Sequence, residues 1–193
     1  REIIKNKVIG HIFKDSFIDI GSHKKLSFIK KNPHIIQNKC FFLDRDGVIN
    51  KECGYVTSFK DFIFLKGVKK AIQFLNKKRY LVIIVTNQAA IGKEIISEKE
   101  LETLHNKMIE DLHLTDKAYV DDIYYAPYFK NSRKLKNIKN KYDRKPNPGM
   151  IIKAKKKWNI DISSSFFIGD KLTDRQASLK SNLKFYYRKN ISL

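Results

Sequence analysis

Phe41-Phe42-Leu43-Asp44-Arg45-Asp46-Gly47-Val48-Ile49-Asn50 is the stretch whose reading decides the fold. Three apolar residues form a short strand that runs straight into two acids and a glycine. In an extended chain residues i and i+2 point to the same side, so Asp44 and Asp46 project together. Two carboxylates crowded at the end of a buried strand repel each other unless a cation lies between them, which implies a metal. The carboxyl end of a strand in an open α/β sheet is also where such folds place ligands. Asp44 therefore reads as a nucleophile to which the rest of the chain delivers a phosphate. A plain surface turn remains open on these residues alone. A calcium loop does not: that pattern wants an acid or amide at its fifth position and glycine at its sixth, where this chain has Val48 and Ile49.

Working outward, 193 residues can bury one good core with a short appendage. No apolar run approaches the roughly 18 residues of a membrane span, so no membrane partner is expected. Two cysteines, Cys40 and Cys53, make no metal or disulfide framework, and a cytoplasmic setting is expected. The net charge of +20 invites a nucleic-acid reading. Against it, only seven of the 40 basic residues are arginine, and the lysines are scattered with no interleaved aromatic platform for single strands. A basic field equally draws in a polyanionic sugar phosphate.

After the Asp44 strand, Glu52-Cys53-Gly54-Tyr55-Val56 reads as an irregular segment hanging over the strand end. Residues 67–78 read as an amphipathic helix with Val68, Ala71, Ile72 and Leu75 on one face. Tyr80 to Val85 is a continuous apolar run, as expected of a central parallel strand covered on both sides, and it ends at Thr86-Asn87-Gln88. Ser97 and Glu100 form a capping box for a helix reaching about His113. Asp122 to Ala126 is a third strand, residues 127–143 a lysine-rich loop, and Asn147-Pro148 a cap with proline in the first helical turn. Phe166-Phe167-Ile168 is a fourth strand ending at Gly169-Asp170, and residues 183–187 are the last. Strands alternating with helices predict a doubly wound, Rossmann-like α/β parallel sheet with helices on both faces.

The polar strand ends should converge. Asp44 would attack phosphorus to give an aspartyl-phosphate, and Asp46 would protonate the leaving alkoxide and then deprotonate water. Thr86 and adjacent amides would hold a phosphoryl oxygen, and Lys145 would offset the negative charge of the transition state. Asp44, Asp170 and the carbonyl of Asp46 supply hard oxygens for Mg²⁺. Asp-x-Asp-Gly, strand-Thr-Asn-Gln, Arg144-Lys145-Pro146 and Phe167-Ile168-Gly169-Asp170-Lys171-x-x-Asp174 resemble, in order and placement, the four motifs of the haloacid dehalogenase-like phosphatases. Within them, Phe42 to Asn50, Gly54-Tyr55-Val56, Arg144-Lys145-Pro146-x-Pro148-Gly149-Met150 and Gly169-Asp170-Lys171 are similar to the heptose-bisphosphate phosphatase and histidinol-phosphatase branch. The resemblance implies Asp44 as nucleophile, Asp46 as proton donor, and Thr86 and Lys145 on the phosphoryl group. It makes Asp170 the metal ligand and Asp174 an orienting neighbour. Glu52, Cys53, Gly54, Tyr55, Asn87, Gln88, Ala89, Arg144 and Lys171 would bind substrate.

That branch usually carries a zinc loop. Here the four ligand positions read Ala126, Tyr128, Lys141 and Asp143, so Mg²⁺ without zinc is expected. Cys53 stands where histidine is common. Upstream, Gly10-His11-Ile12-Phe13 and Phe17-Ile18-Asp19-Ile20-Gly21-Ser22 resemble the end of a sugar-phosphate nucleotidyltransferase domain. With Arg1 in place of methionine, residues 1–31 read as the tail of such a domain, 32–38 as a linker and 39–193 as the phosphatase. The leading expectation is hydrolysis of the 7-phosphate of a heptose 1,7-bisphosphate, in a bifunctional heptose-activating protein. Histidinol-phosphate hydrolysis is the alternative with the same chemistry. A catalytically silent domain or nucleic-acid binder is the alternative from another class.

Overall fold

The computed structural model describes residues 20–133 and 140–191. The chain divides into two compact units, Arg1–Ile35 and Ile36–Leu193. The Gly10–Phe13 and Phe17–Asp19 segments singled out above lie outside the described residues. What is described of the first unit is a helix, α1 (His23–Lys31), and the turn that leaves it. Ser22 caps α1 by accepting a hydrogen bond from the Lys25 amide at 3.3 Å, and Lys30 and Lys31 lie in its last turn, against the carbonyl end of the helix dipole. Asn32 closes the helix, with both its amide and its side chain donating to the Phe28 carbonyl.

The second unit is built on five parallel strands in the order β3-β2-β1-β4-β5. They are β1 (Cys40–Leu43), β2 (Leu81–Asn87), β3 (Asp122–Ala126), β4 (Phe166–Gly169) and β5 (Lys184–Tyr187). The crossovers after β1 and β2 move the chain one way along the sheet, and the one after β3 carries it back past β1. The switch therefore falls between β1 and β4, where Leu43 pairs with Ile168, and such a switch opens a crevice at the carboxyl ends.

Alternation decides which side chain goes where. Leu43, Val82 and Ile84 face one core, which takes Val68 and Ile72 of α2 (Val68–Lys77) and Leu104, Met108 and Leu112 of a long amphipathic helix, Glu98–Asp116. Phe42, Ile83, Val85 and Phe167 face the other, with Met150, Ile151 and Ala154 of the Gly149–Trp158 helix and Ala177 of the Leu172–Lys180 helix. Because both faces are covered, β2 must be apolar at consecutive positions. Each buried Ile or Val contributes about 1.5–3 kcal/mol.

In chain order the remaining helices are α3 (Ala89–Gly92), a short turn the sequence did not announce, α4 (Glu98–Asp116), α5 (Gly149–Trp158) and α6 (Leu172–Lys180). The Ser97–Glu100 capping box is formed as expected, and α4 runs three residues past His113. The expected cap at Asn147 is not formed. Pro148 occupies the cap position of α5, and the Asn147 side chain donates instead to the Lys141 carbonyl at 3.2 Å. Past β1, the chain around Asn50 pairs antiparallel with the chain around Phe64, which holds the 52–62 loop beside the strand ends.

Candidate active site

Asp44 is the first residue beyond β1, and its amide donates to the Ile168 carbonyl at 3.0 Å, so its backbone is fixed by the neighbouring strand. Arg45 then turns the chain sharply: its carbonyl accepts from the amides of Val48, Ile49 and Asn50. Gly47 sits inside this turn at φ +82°, a conformation costly for residues with a Cβ. A Cβ there would also fall 2.2 Å from Asp170 Oδ2, so glycine makes room for the carboxylate arriving from β4.

Lys145 reaches this point from the segment before α5. Its Nζ lies 2.8 Å from Asp44 Oδ1, 2.7 Å from Asp174 Oδ1 and 2.8 Å from the Val85 carbonyl. Burial works against its ammonium, but Asp44 and Asp174 overcome it and raise the pKa above the ordinary lysine value. A fully buried lysine is thus kept charged beside Asp44. The loop carrying it is pinned by Asn87, whose side-chain amide bonds both the carbonyl and the amide of Lys145, at 3.0 and 2.9 Å.

Carboxylate oxygens of Asp44, Asp170 and Asp174 lie within 4.8 Å of one another. Asp174 is already committed: Oδ1 pairs with Lys145, while Oδ2 accepts from the amides of Asp170 and Lys171 at 3.2 and 3.0 Å. Asp170 Oδ1, by contrast, is buried with no hydrogen-bond partner. Burial, and then Asp44, push its carboxyl up to about 6. An orphaned carboxylate oxygen facing a second carboxylate is a set of hard oxygens short of one cation, and Mg²⁺ fits it. Asp44 and Asp170 would hold the ion, with Asp174 orienting Lys145 and the turn behind Asp170. Bound there, Mg²⁺ neutralises the repulsion between carboxylate and an incoming phosphate. The third residue of this cluster is Asp174, not the Asp46 side chain, which points elsewhere.

Asp46 accepts from Arg45, from Asn50 Nδ2 at 3.0 Å and from Gln88 Nε2 at 3.0 Å. Gln88 also donates to Thr86 Oγ1 at 2.9 Å, which ties the end of β2 to the same carboxylate. Asp46, Glu52, Gly54, Tyr55, Asn87, Gln88, Ala89, Arg144, Lys145 and Lys171 all line one cleft of about 430 Å³, together with Pro146, which was legible only as part of its motif, and Thr173, which sequence reasoning missed. Lys171 and Glu52 form an ion pair there. Cys53 does not line the cleft; its side chain is exposed. Thr173 carried no signal in the sequence, because only the start of α6 beside Lys171 turns it toward the cleft.

At the four positions where the resemblance puts zinc ligands, other contacts hold the chain: the Ala126 carbonyl accepts from the Gln88 amide at 2.9 Å. Arg144 donates to the Tyr128 carbonyl at 3.3 Å, the Lys141 carbonyl accepts from Arg144 and Asn147, and Asp143 pairs with Lys153. Arg45, Asn50 and His105 are further residues of the site that the sequence reading passed over. Arg45 and Asn50 lie inside the quoted motif, whereas His105, in mid-helix, offered no signal.

A parallel sheet with an aspartate-ended central strand, a buried lysine on that aspartate and a carboxylate from the neighbouring strand defines a haloacid dehalogenase-like phosphatase. The chain belongs to the family described as polynucleotide kinase 3 phosphatase, whose model matches residues 39–189, and within it to the heptose-1,7-bisphosphate phosphatase type. It is 41% identical over 138 residues to the D-glycero-beta-D-manno-heptose-1,7-bisphosphate 7-phosphatase of Photorhabdus laumondii, covering 71% of this chain and 72% of that one. It is 37% identical over 143 residues to the D-glycero-alpha-D-manno-heptose-1,7-bisphosphate 7-phosphatase of Burkholderia mallei, covering 74% and 75%. The crystal structure of D,D-heptose 1,7-bisphosphate phosphatase from B. bronchiseptica, complexed with magnesium and phosphate, superposes with a TM-score of 0.69. That match is 28% identical and covers 77% of this chain and 79% of the other. The protein is a phosphatase. Among the described residues no helix is long and apolar enough to cross a membrane.

Proposed function

We propose that the protein hydrolyses the 7-phosphate of a D-glycero-D-manno-heptose 1,7-bisphosphate through an aspartyl-phosphate on Asp44. The observation that carries this is the Lys145–Asp44–Asp170 cluster, joined through Lys145 to a cleft that also holds Asp46, Arg144 and Lys171. Asp44 forms a bond to phosphorus as the bond to the sugar oxygen breaks, and Asp46 gives that oxygen its proton. Water then attacks the acyl phosphate, its proton returns to Asp46, and inorganic phosphate leaves. Lys145 and Thr86 face the charge that gathers on the phosphoryl oxygens. Two phosphates on one sugar explain two groups of cations, Lys145 at the buried end and Arg144 with Lys171 nearer the mouth. Relatives named for both the alpha and the beta anomer leave both as candidates. A cytoplasmic location fits two cysteines that are both free.

Residues 1–31 are proposed as the tail of a nucleotidyltransferase-like domain, since such a domain would use the heptose 1-phosphate released here. The capped helix α1, which follows the Asp19-Ile20-Gly21 sequence, supports that reading. A screen of both heptose bisphosphate anomers, histidinol phosphate, hexose phosphates and a 3′-phosphorylated oligonucleotide tests the substrate. Preference for a heptose bisphosphate by at least tenfold in kcat/KM is expected, and faster turnover of histidinol phosphate or the oligonucleotide would overturn it.

A further inference from the structure

Arg45 is the largest fully buried side chain among the described residues, at 1% exposure. A guanidinium has no acceptor and does not lose its proton, so burying one demands acceptors for its hydrogens. Arg45 spends them on two groups. Nε and Nη2 hold Asp46 Oδ1 at 3.1 and 3.0 Å, and Nη2 reaches Oδ2 at 2.9 Å. Nη1 lies 3.2 Å from Nε2 of His105, a buried residue of α4. Since the guanidinium can only donate, that ring nitrogen accepts, and the neutral imidazole carries its hydrogen on Nδ1. Burial first, and then the Arg45 charge, bring the imidazole down to about 3, so it stays neutral at working pH.

The consequence lies in the reaction. Asp46 must present its carboxyl to the leaving oxygen in the first step and to water in the second, and a misplacement of an ångström is costly to such transfers. Asn50 and Gln88 hold one oxygen each, but only Arg45 grips both, and Arg45 is itself set from behind by His105. We propose that Arg45, braced by His105, is the positioning residue that sets the acid–base carboxyl of Asp46 for both proton transfers. The proposal rests on Asp46 being that acid and base.

The test compares full-length Asp46→Asn, His105→Leu, His105→Gln and Arg45→Lys on two substrates. The sugar bisphosphate leaves as a poor alkoxide and needs a proton. Dinitrophenyl phosphate leaves as a stable phenolate and does not. In His105→Leu, kcat on the bisphosphate should fall at least tenfold with KM within twofold. Dinitrophenyl phosphate should still release one equivalent of phenolate in a rapid burst and then stall, because only hydrolysis of the acyl phosphate still calls on Asp46. His105→Gln, whose amide oxygen can accept from Nη1, should recover most of the loss. Arg45→Lys, which has no second nitrogen to hold Asp46 in a fork and no third to meet His105, should behave like His105→Leu. An unchanged kcat, or equal losses on both substrates without a burst, in His105→Leu and Arg45→Lys overturns the positioning role, provided Asp46→Asn shows the burst. If Asp46→Asn also lacks the burst, the acid–base reading of Asp46 fails and takes the proposal with it.

Discussion

At the scale of single residues the site turns on what each atom is already bonded to. Asp44 Oδ1 is taken by Lys145 and by the Arg45 amide at 2.8 Å, which fixes the carboxylate without spending both oxygens. Replacing Asp44 by Asn should abolish turnover while the fold survives, because an amide cannot form the acyl phosphate; normal turnover in Asp44→Asn would remove the mechanism. Asp46→Asn should slow turnover by roughly 10²–10⁴-fold, the usual weight of acid–base help. Gly47 is a second point where one atom matters. Gly47→Ala would set a Cβ against Asp170 Oδ2 and strain a left-handed turn. It should raise the half-saturating Mg²⁺ concentration by roughly 10–100-fold, the effect of disturbing a metal ligand's surroundings. A Mg²⁺ titration of activity that overlays the wild type would count against Asp170 as the ligand.

At the scale of elements, α4 does more than cover the sheet. Through His105 it reaches the turn after β1, and this contact makes stability depend on pH with a definite sign. Unfolded, His105 titrates near 6.5; folded, its pKa is about 3, because burial and then Arg45 oppose the charge. Between those values the unfolded chain binds the extra proton, so the contribution is fully present above 6.5 and is lost as pH falls toward 3. The slope for one such group is about 1.4 kcal/mol per pH unit. Urea denaturation of the wild type between pH 6.5 and 5 should therefore lose stability more steeply than that of His105→Gln. Parallel lines for the two proteins would mean that His105 is not buried neutral.

At the scale of the whole molecule, the division between units falls at Ile35–Ile36, inside the segment read as a linker. The residues just after it belong to the phosphatase. The Asn38 amide and carbonyl bond the chain at Asn159 and Asp161, its side chain donates to the Trp158 carbonyl, and the Asn159 side chain reaches the Ile36 carbonyl. A chain beginning at Ile36 should keep full phosphatase activity, whereas one beginning at Lys39 loses the bridge between Asn38 and Ile160 and should be less stable. Loss of activity in the Ile36 chain would assign the upstream segment to the phosphatase core. For the whole protein, EDTA should abolish activity and Mg²⁺ restore it, with no stoichiometric zinc on elemental analysis. Asp44 and Asp170 offer hard oxygens, while Ala126, Tyr128, Lys141 and Asp143 offer neither thiolate nor imidazole. One tightly held zinc per chain would refute this.

The sequence by itself determined the class of sheet and named most of the residues that the site brings together. Apolar runs ending in polar residues announce buried parallel strands, and the Asp44, Thr86 and Asp170 signals sit at or beside those ends, where local pattern is informative; Lys145 was legible only through its Arg-Lys-Pro motif ahead of α5. It also determined the Ser97–Glu100 cap, since a capping box closes within four residues. The tertiary structure alone decided the rest. Strand order, and with it the crevice between β1 and β4, depends on how crossovers pass one another, which no local pattern records. The resemblance separates Asp170 as metal ligand from Asp174 as orienting neighbour, but the contacts behind that separation were not legible. Asp174 is committed to Lys145 and two amides, leaving Asp170 for the cation, and Asp46 is turned toward Arg45. His105 is the plainest case: sixty residues from Arg45 and alone on an apolar helix face, it gains a role only because α4 packs across the end of β1 and brings its ring against a buried guanidinium.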